Sequence, residues 1–177
     1  MTTHPLILMT GAYFLALIIV AYLTRATRRR ILGALSGGAA VGVMALGMIK
    51  FCEAVGWWRM PIASTPATTA LLGAGIAISV SPIYLVTWRL VRRFGWRGLA
   101  VFVVVVTLVG APRDYLIAAR FPEWMVFSPG FAPILADAVA YFALVVVGHA
   151  VMRLVAGPSR ADGFSRSVRP RSVASPS

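Results

Sequence analysis

Acidic residues, histidine and cysteine are all scarce in this sequence. Five acidic residues stand against 17 basic ones, and charged residues make up 12% of the chain. The one cysteine, Cys52, excludes an internal disulfide and a cysteine metal cluster. The two histidines, His4 and His149, belong to no metal-ligand spacing, and the chain has no glycine-rich phosphate loop and no nucleophile motif. The sequence therefore predicts no cofactor and no metal, and it leaves open whether the protein is an enzyme.

Hydrocarbon side chains dominate instead. Hydrophobic residues make up 59% of the chain and the mean hydropathy is +0.84. In soluble domains about a quarter of the residues are charged, which is twice the share found here. Several apolar runs approach 20 residues, the length that crosses a bilayer as a helix. The sequence therefore predicts an all-α integral membrane protein, a bundle of five transmembrane helices.

The apolar runs set the boundaries of these helices. They predict one transmembrane domain over 1–156, with helices at about 5–24, 31–52, 67–88, 98–118 and 132–155. Residues 157–177 are rich in serine, arginine and proline and predict a disordered, basic cytoplasmic tail. The fourth segment is ambiguous, because its apolar run reaches only from Leu99 to Ala111 before Pro112. Either this helix continues through Pro112, or the segment is re-entrant.

The placement of arginine predicts the orientation. Five spans put thirteen of the 17 basic residues and one acid on the side of the C-terminus, and four bases and four acids on the other side. The positive-inside rule makes the first side cytoplasmic and puts the N-terminus outside. The basic balance then reflects topology and anionic lipids at the cytoplasmic face, with no nucleic acid. Arginine in place of lysine favours a GC-rich bacterial source, so we expect a multi-pass protein of the bacterial plasma (inner) membrane.

Five spans with the N-terminus outside resemble the architecture of the tryptophan-rich sensory protein family. No motif of that family aligns with the tryptophans of this chain, which are Trp57, Trp58, Trp88, Trp96 and Trp124. The resemblance therefore implies an architecture only, and it assigns no ligand and no site residue.

The second predicted helix is rich in glycine. Gly33 with Gly37, and Gly38 with Gly42, are GxxxG pairs that let another backbone approach closely. One interpretation is a homo-oligomer or a membrane-protein partner bound through this face. The other is packing against neighbouring helices of the same chain, which we favour because five helices must pack together.

Polar residues gather at the predicted outer ends of the helices. Asp137 lies inside the fifth apolar run, where a carboxylate is either functional or a helix N-terminal acid. Tyr141, four residues on, shares its face and is expected to reach it. Arg113 and Asp114 are neighbours that should point in different directions, so we expect Arg113 to pair with Asp137. The sequence predicts a ligand or ion-pair cluster formed by Lys50, Glu53, Arg113, Asp114, Arg120, Glu123, Asp137 and Tyr141.

Two parts of this cluster have a simpler interpretation. Lys50 and Glu53 are spaced to pair along a helix, or else the lysine reaches water and the glutamate is solvated, which we favour. The aromatic residues between Arg113 and Phe131 predict either a lid over an outward-facing pocket or, as we favour, a loop anchored at the interface.

Three functions fit these observations. The absence of a catalytic motif favours a non-enzymatic binding, assembly or accessory membrane protein. A small permease or carrier for an amphipathic or anionic solute would need a polar path from Asp137 to His149, which lie about 18 Å apart along one helix. A lipid-modifying enzyme would use Asp114, Glu123 or Asp137 as acid or base. We interpret His149 as a packed histidine.

Overall fold

Four α-helices form the protein in a computed structural model that describes residues 4–157, with side chains from residue 7 onward. The helices are α1 (His4–Leu23), α2 (Arg28–Ala54), α3 (Pro66–Arg120) and α4 (Phe131–Ala156). The all-α prediction is confirmed. The predicted tail lies outside the described residues.

Among the described residues, three helices are long and apolar enough to cross a membrane, and these are α2, α3 and α4. The part of α1 that was compared in this way, Ile7–Leu23, is apolar but shorter. The length of α3 is unusual, because 55 residues would extend roughly 80 Å if straight, against a hydrocarbon core of about 30 Å. The helix is not continuous, however, and divides into two limbs.

The division of α3 lies at Gly95. This residue has φ 64° and ψ −153°, a left-handed conformation that glycine adopts without a steric penalty. The first limb, 66–94, runs parallel to α4, since Tyr84 bonds to Leu144 and Thr87 to His149. The second limb, 96–120, runs in the opposite direction. The gap of 89–97 between the predicted third and fourth helices is therefore helical except for a single residue, Gly95.

The second limb also packs along α4, but it runs in the opposite direction to that helix. Trp96 near its start contacts His149, and Arg113 near its end bonds to Tyr141. The limb is helical through Pro112 as far as Arg120, so the continuous helix is the alternative that the structure shows and the re-entrant segment is wrong.

The glycines of α2 are used inside the chain. A Cβ at Gly33 would meet Met152 and Ala156 of α4 at 3.0 Å, and one at Gly42 would lie 2.8 Å from the carbonyl oxygen of Gly73. A Cβ at Gly37 would come still closer to the backbone of α4, and one at Gly38 would come still closer to the backbone of α3. The GxxxG faces therefore let α2 pack between α3 and α4, as in the second of the two interpretations.

Most of the buried core lies where α1, α2, the first limb and α4 meet. Tyr84 is completely buried there and donates a hydrogen bond to the carbonyl of Leu144 at 3.0 Å. Gly148 leaves the space that its ring occupies. A second group, Leu99, Val103 and Val145, joins the second limb to α4.

Two connecting segments form a small antiparallel ribbon at one end of the bundle. Strand β1 (Trp58–Arg59) follows α2, and strand β2 (Val126–Phe127) follows α3, with Trp58 opposite Phe127. Ser128 strengthens the pairing through its amide, which donates to the carbonyl of Trp57 at 2.9 Å. We call this the ribbon end. The opposite end, which holds the α1–α2 turn and Gly95, is the arginine end.

Candidate functional site

The ribbon end contains a closed hydrogen-bonded set that joins the second limb to α4. Arg113 binds the Oδ1 atom of Asp114 through Nε at 3.0 Å and through Nη2 at 2.8 Å. The hydroxyl of Tyr141 donates to Oδ2 of Asp114 at 2.7 Å and accepts from Nη2 of Arg113 at 2.6 Å. Each of the three side chains therefore binds the other two.

The partner of Arg113 differs from the sequence prediction. The predicted ion pair with Asp137 is wrong, because the carboxylate that Arg113 binds belongs to its neighbour Asp114. The prediction assumed that adjacent helical residues diverge, but the arginine side chain is long enough to turn back. The side chain of Arg113 is 55% exposed and that of Asp114 is 17% exposed, so this ion pair is only partly shielded from solvent.

Space for this set depends on Gly110, one turn before Asp114. A Cβ at Gly110 would lie 2.6 Å from the ring of Tyr141. The small residue therefore allows the ring to lie flat on the second limb, with its hydroxyl beside Arg113 and Asp114.

Asp137 lies apart from this set and is 6% exposed. Its Oδ2 atom has no hydrogen-bond partner among the described residues. Because α4 begins at Phe131, Asp137 falls in the second turn, and no hydrogen bond joins it to a first-turn amide in the described part of the chain. Tyr141 donates to Asp114 and not to Asp137, so this expectation is also wrong.

Asp137 lies next to an apolar group that includes residues of the ribbon. The Asp137 carboxyl group is near enough to Cys52 and to Tyr115 to interact with both electrostatically. Cys52, Trp58 and the adjacent Ala136 form a buried apolar group. Burying a carboxyl in such surroundings costs free energy unless a partner satisfies it.

The aromatic residues of the ribbon form one packed layer. The ring of Tyr115 stacks on Phe127 with centroids 4.0 Å apart, and Trp58 contacts Phe127 edge-on at 5.6 Å. This layer could not be predicted from the sequence, because its members come from two segments about 70 residues apart. Tyr115 and Phe127 were visible only as members of an aromatic-rich stretch.

The other predicted residues do not join the set around Arg113. Lys50 and Glu53 form an ion pair at 2.8 Å, which is the alternative that we did not favour, and Glu53 also accepts from the amide of Met60 at 3.1 Å. This second bond ties α2 to the segment after β1. Arg120 lies 5.9 Å from the ring of Phe121, and Glu123 is exposed in the turn that follows α3.

His149 is buried near the arginine end and is 2% exposed. Its Nδ1 atom lies 2.8 Å from the hydroxyl of Thr87, and Trp96 contacts its ring edge-on. The interpretation of a packed histidine agrees with this position. No group of three or more histidine, cysteine or acidic side chains that could hold a metal ion occurs within residues 4–157.

A cavity of about 500 Å³ opens at the arginine end. Sequence analysis assigned its arginines to topology alone, although the two dense basic stretches, at 25–30 and 89–97, were apparent. The cavity lies between the α1–α2 turn, the start of α2 and the first limb of α3, and it is lined by Thr24, Arg25, Ala26, Arg30, Leu85, Trp88, Arg89, Arg92 and Arg93.

An apolar groove of about 570 Å³ runs between the second limb and α4. Its walls include Leu99, Val103 and Val146, and Thr107 is its one hydroxyl-bearing residue. In the part of the chain that the structure describes, no carboxylate lines this groove or the arginine-lined cavity.

Comparisons with protein-family models, with curated proteins and with solved structures give no match to this chain.

Proposed function

We propose that the chain is a multi-pass protein of a bacterial plasma membrane with five spans, formed by α1, α2, the two limbs of α3, and α4. The contacts of the two limbs support this count, because both limbs pack along α4 in opposite directions. Reversal at Gly95 gives two segments of membrane-spanning length in place of one helix that is too long.

The N-terminus is outside and the arginine end is cytoplasmic in this proposal. All four acidic residues of the described chain belong to the ribbon end and its adjoining turns, and they are Glu53, Asp114, Glu123 and Asp137. The dense arginine stretches, 25–30 and 89–97, lie at the other end. This asymmetry follows the positive-inside rule.

Within that membrane the protein acts as a non-enzymatic binding or assembly protein. The observation that carries this choice is the closed set of Arg113, Asp114 and Tyr141, in which the side chains satisfy one another. An acid–base catalyst or a proton carrier needs a carboxylate that faces an open cavity, and within residues 4–157 no carboxylate lines either of the two cavities described above.

The interior of the bundle also argues against a carrier. Between Asp137 and His149 on α4 lie Leu144 and Val145, which pack against apolar side chains of the core. The Tyr84 hydroxyl bonds to the carbonyl of Leu144, and the Nδ1 atom of His149 contacts Thr87. These bonds fasten helices together and leave an apolar layer between the two polar groups.

A flux measurement tests this choice. Purified protein in liposomes that enclose a pH-sensitive dye should give no proton or anion flux above protein-free liposomes, and the liposome lipids should be unchanged by mass spectrometry. Flux that disappears in Asp137→Asn but persists in the exposed control Glu123→Gln would replace the binding protein with a carrier. A new lipid species lost in Asp114→Asn would replace it with an enzyme.

A further inference from the structure

The cavity at the arginine end has the composition of an anion site. Among residues 4–157, five arginines line it, the other lining residues are neutral, and none is acidic. Guanidinium groups present several N–H donors in a planar fork that matches the oxygens of a phosphate. A concave wall of one charge also concentrates the positive potential, which a flat basic surface does not do.

The cavity is built by contacts that hold its arginines in place. Trp88 and Leu85 are buried beneath it, and the guanidinium of Arg30 lies 5.7 Å from the centre of the Trp88 ring. Arg89 donates through Nη1 to the carbonyl of Leu23 at 3.0 Å, which fastens the end of α1 to the first limb. The cavity is therefore a feature of three packed helices.

The turn between α1 and α2 places a further arginine on the rim. Arg25 has φ 48°, a left-handed conformation that is uncommon for residues other than glycine. Its amide bonds to the carbonyl of Tyr22 at 3.0 Å, and the next amide, of Ala26, bonds to Ala21 at 2.9 Å. These bonds turn the chain sharply at this point, and Arg25 lines the cavity together with Arg93 of the first limb.

We propose that this cavity binds the phosphate group of an anionic ligand at the membrane surface, either the phosphodiester of an anionic lipid headgroup or a free phosphate. The volume, about 500 Å³, lies within the range of small-molecule sites. The inference deepens the proposed function by naming a ligand class, and it rests on that proposal for the position of this end at the headgroup level. Basic pockets between helices on the cytoplasmic side suit lipid phosphates.

Lipid binding to the full-length, delipidated protein, measured by native mass spectrometry, tests the proposal. We expect the first phosphatidylglycerol to bind at least about tenfold more tightly than phosphatidylcholine. Arg25→Gln with Arg93→Gln should lower that affinity about tenfold or more, because it removes two of the five described guanidinium groups that would bind the phosphate inside the cavity. The matched control is Arg28→Gln with Arg97→Gln, which removes the same charge from exposed arginines outside the cavity wall and should change affinity less than about threefold.

A phosphate titration identifies the source of the ligand. If 10 mM inorganic phosphate leaves phosphatidylglycerol bound, the ligand is the lipid headgroup; if phosphate displaces it and the displacement requires Arg25 and Arg93, the ligand is a free phosphate. Equal losses in the two double variants, or no preference over phosphatidylcholine, would overturn the proposal. Tryptophan fluorescence of each variant verifies that it is folded. These outcomes are independent of the flux measurement, so the ligand class and the binding function can fail separately.

Discussion

The two ends of the bundle handle charge in opposite ways. At the ribbon end, Arg113 and Asp114 neutralise each other and Tyr141 closes the set. At the arginine end, the described part of the chain lines a cavity with five arginines and no acidic residue. The first arrangement uses charge to fasten helices, and the second presents charge to whatever enters from outside the protein.

This contrast separates stability from binding. Substitutions in the set of Arg113, Asp114 and Tyr141 should lower stability, because these three side chains bind one another across two helices. Substitutions on the rim of the arginine cavity should leave stability nearly unchanged and alter only binding. Variants at the two ends test this difference between stability and binding, from the largest expected effect to the smallest.

Replacing Gly110 with alanine should have the largest effect. The new Cβ would meet the ring of Tyr141 and push its hydroxyl away from Asp114. We expect the free energy of unfolding to fall by about 1–3 kcal/mol, as for other overpacked sites. Unfolding in mixed micelles, followed by tryptophan fluorescence, measures this loss. Gly47→Ala in α2 is the control, since a Cβ at Gly47 has no neighbour within 4 Å; equal losses in both variants would contradict the packing role of Gly110.

Replacing Asp114 with asparagine should have the next largest effect. The change removes the ion pair and weakens the bond from Tyr141, but Arg113 remains largely accessible to water. We therefore expect a loss of about 1 kcal/mol, near the upper range of partly exposed pairs. A double-mutant cycle with Tyr141→Phe should show coupling between the two sites. Strict additivity, or the same loss in Glu123→Gln, would show that the set does not fasten the helices.

The sequence is enough to locate the helices, but it does not predict the contacts between Arg113, Asp114 and Tyr141. Long apolar runs locate α1, α2 and α4 within a few residues, because membrane-spanning length needs no information about neighbours. Arg113 and Asp114 project about 100° apart on a helix, so spacing alone argued against their pairing. The pairing depends on Tyr141 from another helix, and only the three-dimensional arrangement brings it there.

Two further features were beyond sequence reasoning for different reasons. The basic stretch around Gly95 reads as a loop, and a reversal confined to one glycine has no signal in composition. The ribbon pairs two strands of two residues each, too short for an alternating pattern. The ribbon also explains why Glu53 accepts from the amide of Met60, since Glu53 lies before β1 and Met60 directly follows it.

The ribbon should protect Cys52 from modification. This cysteine is completely buried against Trp58, and it is the one thiol of the chain, so labelling reports on a single site. Maleimide labelling of folded protein should accelerate about tenfold in Trp58→Ala, because the opened ribbon exposes the thiol. Phe121→Ala is the aromatic control, since Phe121 is exposed and stacks on Trp124. Equal acceleration in both variants would mean that the ribbon does not cover Cys52.

Substitutions on the cavity rim should hardly affect stability. Arg25 and Arg93 are exposed, and changes at such positions are usually within about 0.5 kcal/mol. We expect Arg25→Gln with Arg93→Gln to unfold at the same detergent concentration as the unmodified protein in the absence of anionic lipid. A loss as large as that of Asp114→Asn would remove the contrast between the two ends.

Deletion of Ser159–Ser177 should have the smallest effect. These residues lie outside the described part of the chain, and their sequence contains few apolar side chains. Expression and membrane insertion, measured by fractionation and immunoblotting, should be unchanged. Loss of the truncated protein from the membrane fraction would show that the segment contributes to the fold.

The orientation of the two ends across the membrane is the central claim, and reporter fusions test it most directly. Paired cytoplasmic and periplasmic reporters should be fused after Arg30, Arg97 and Gly157, and after Pro61 and Glu123. The account predicts cytoplasmic signals at the first three positions and external signals at the last two. The opposite signal at two or more positions would contradict the five-span arrangement and the placement of the arginine cavity at the cytoplasmic surface.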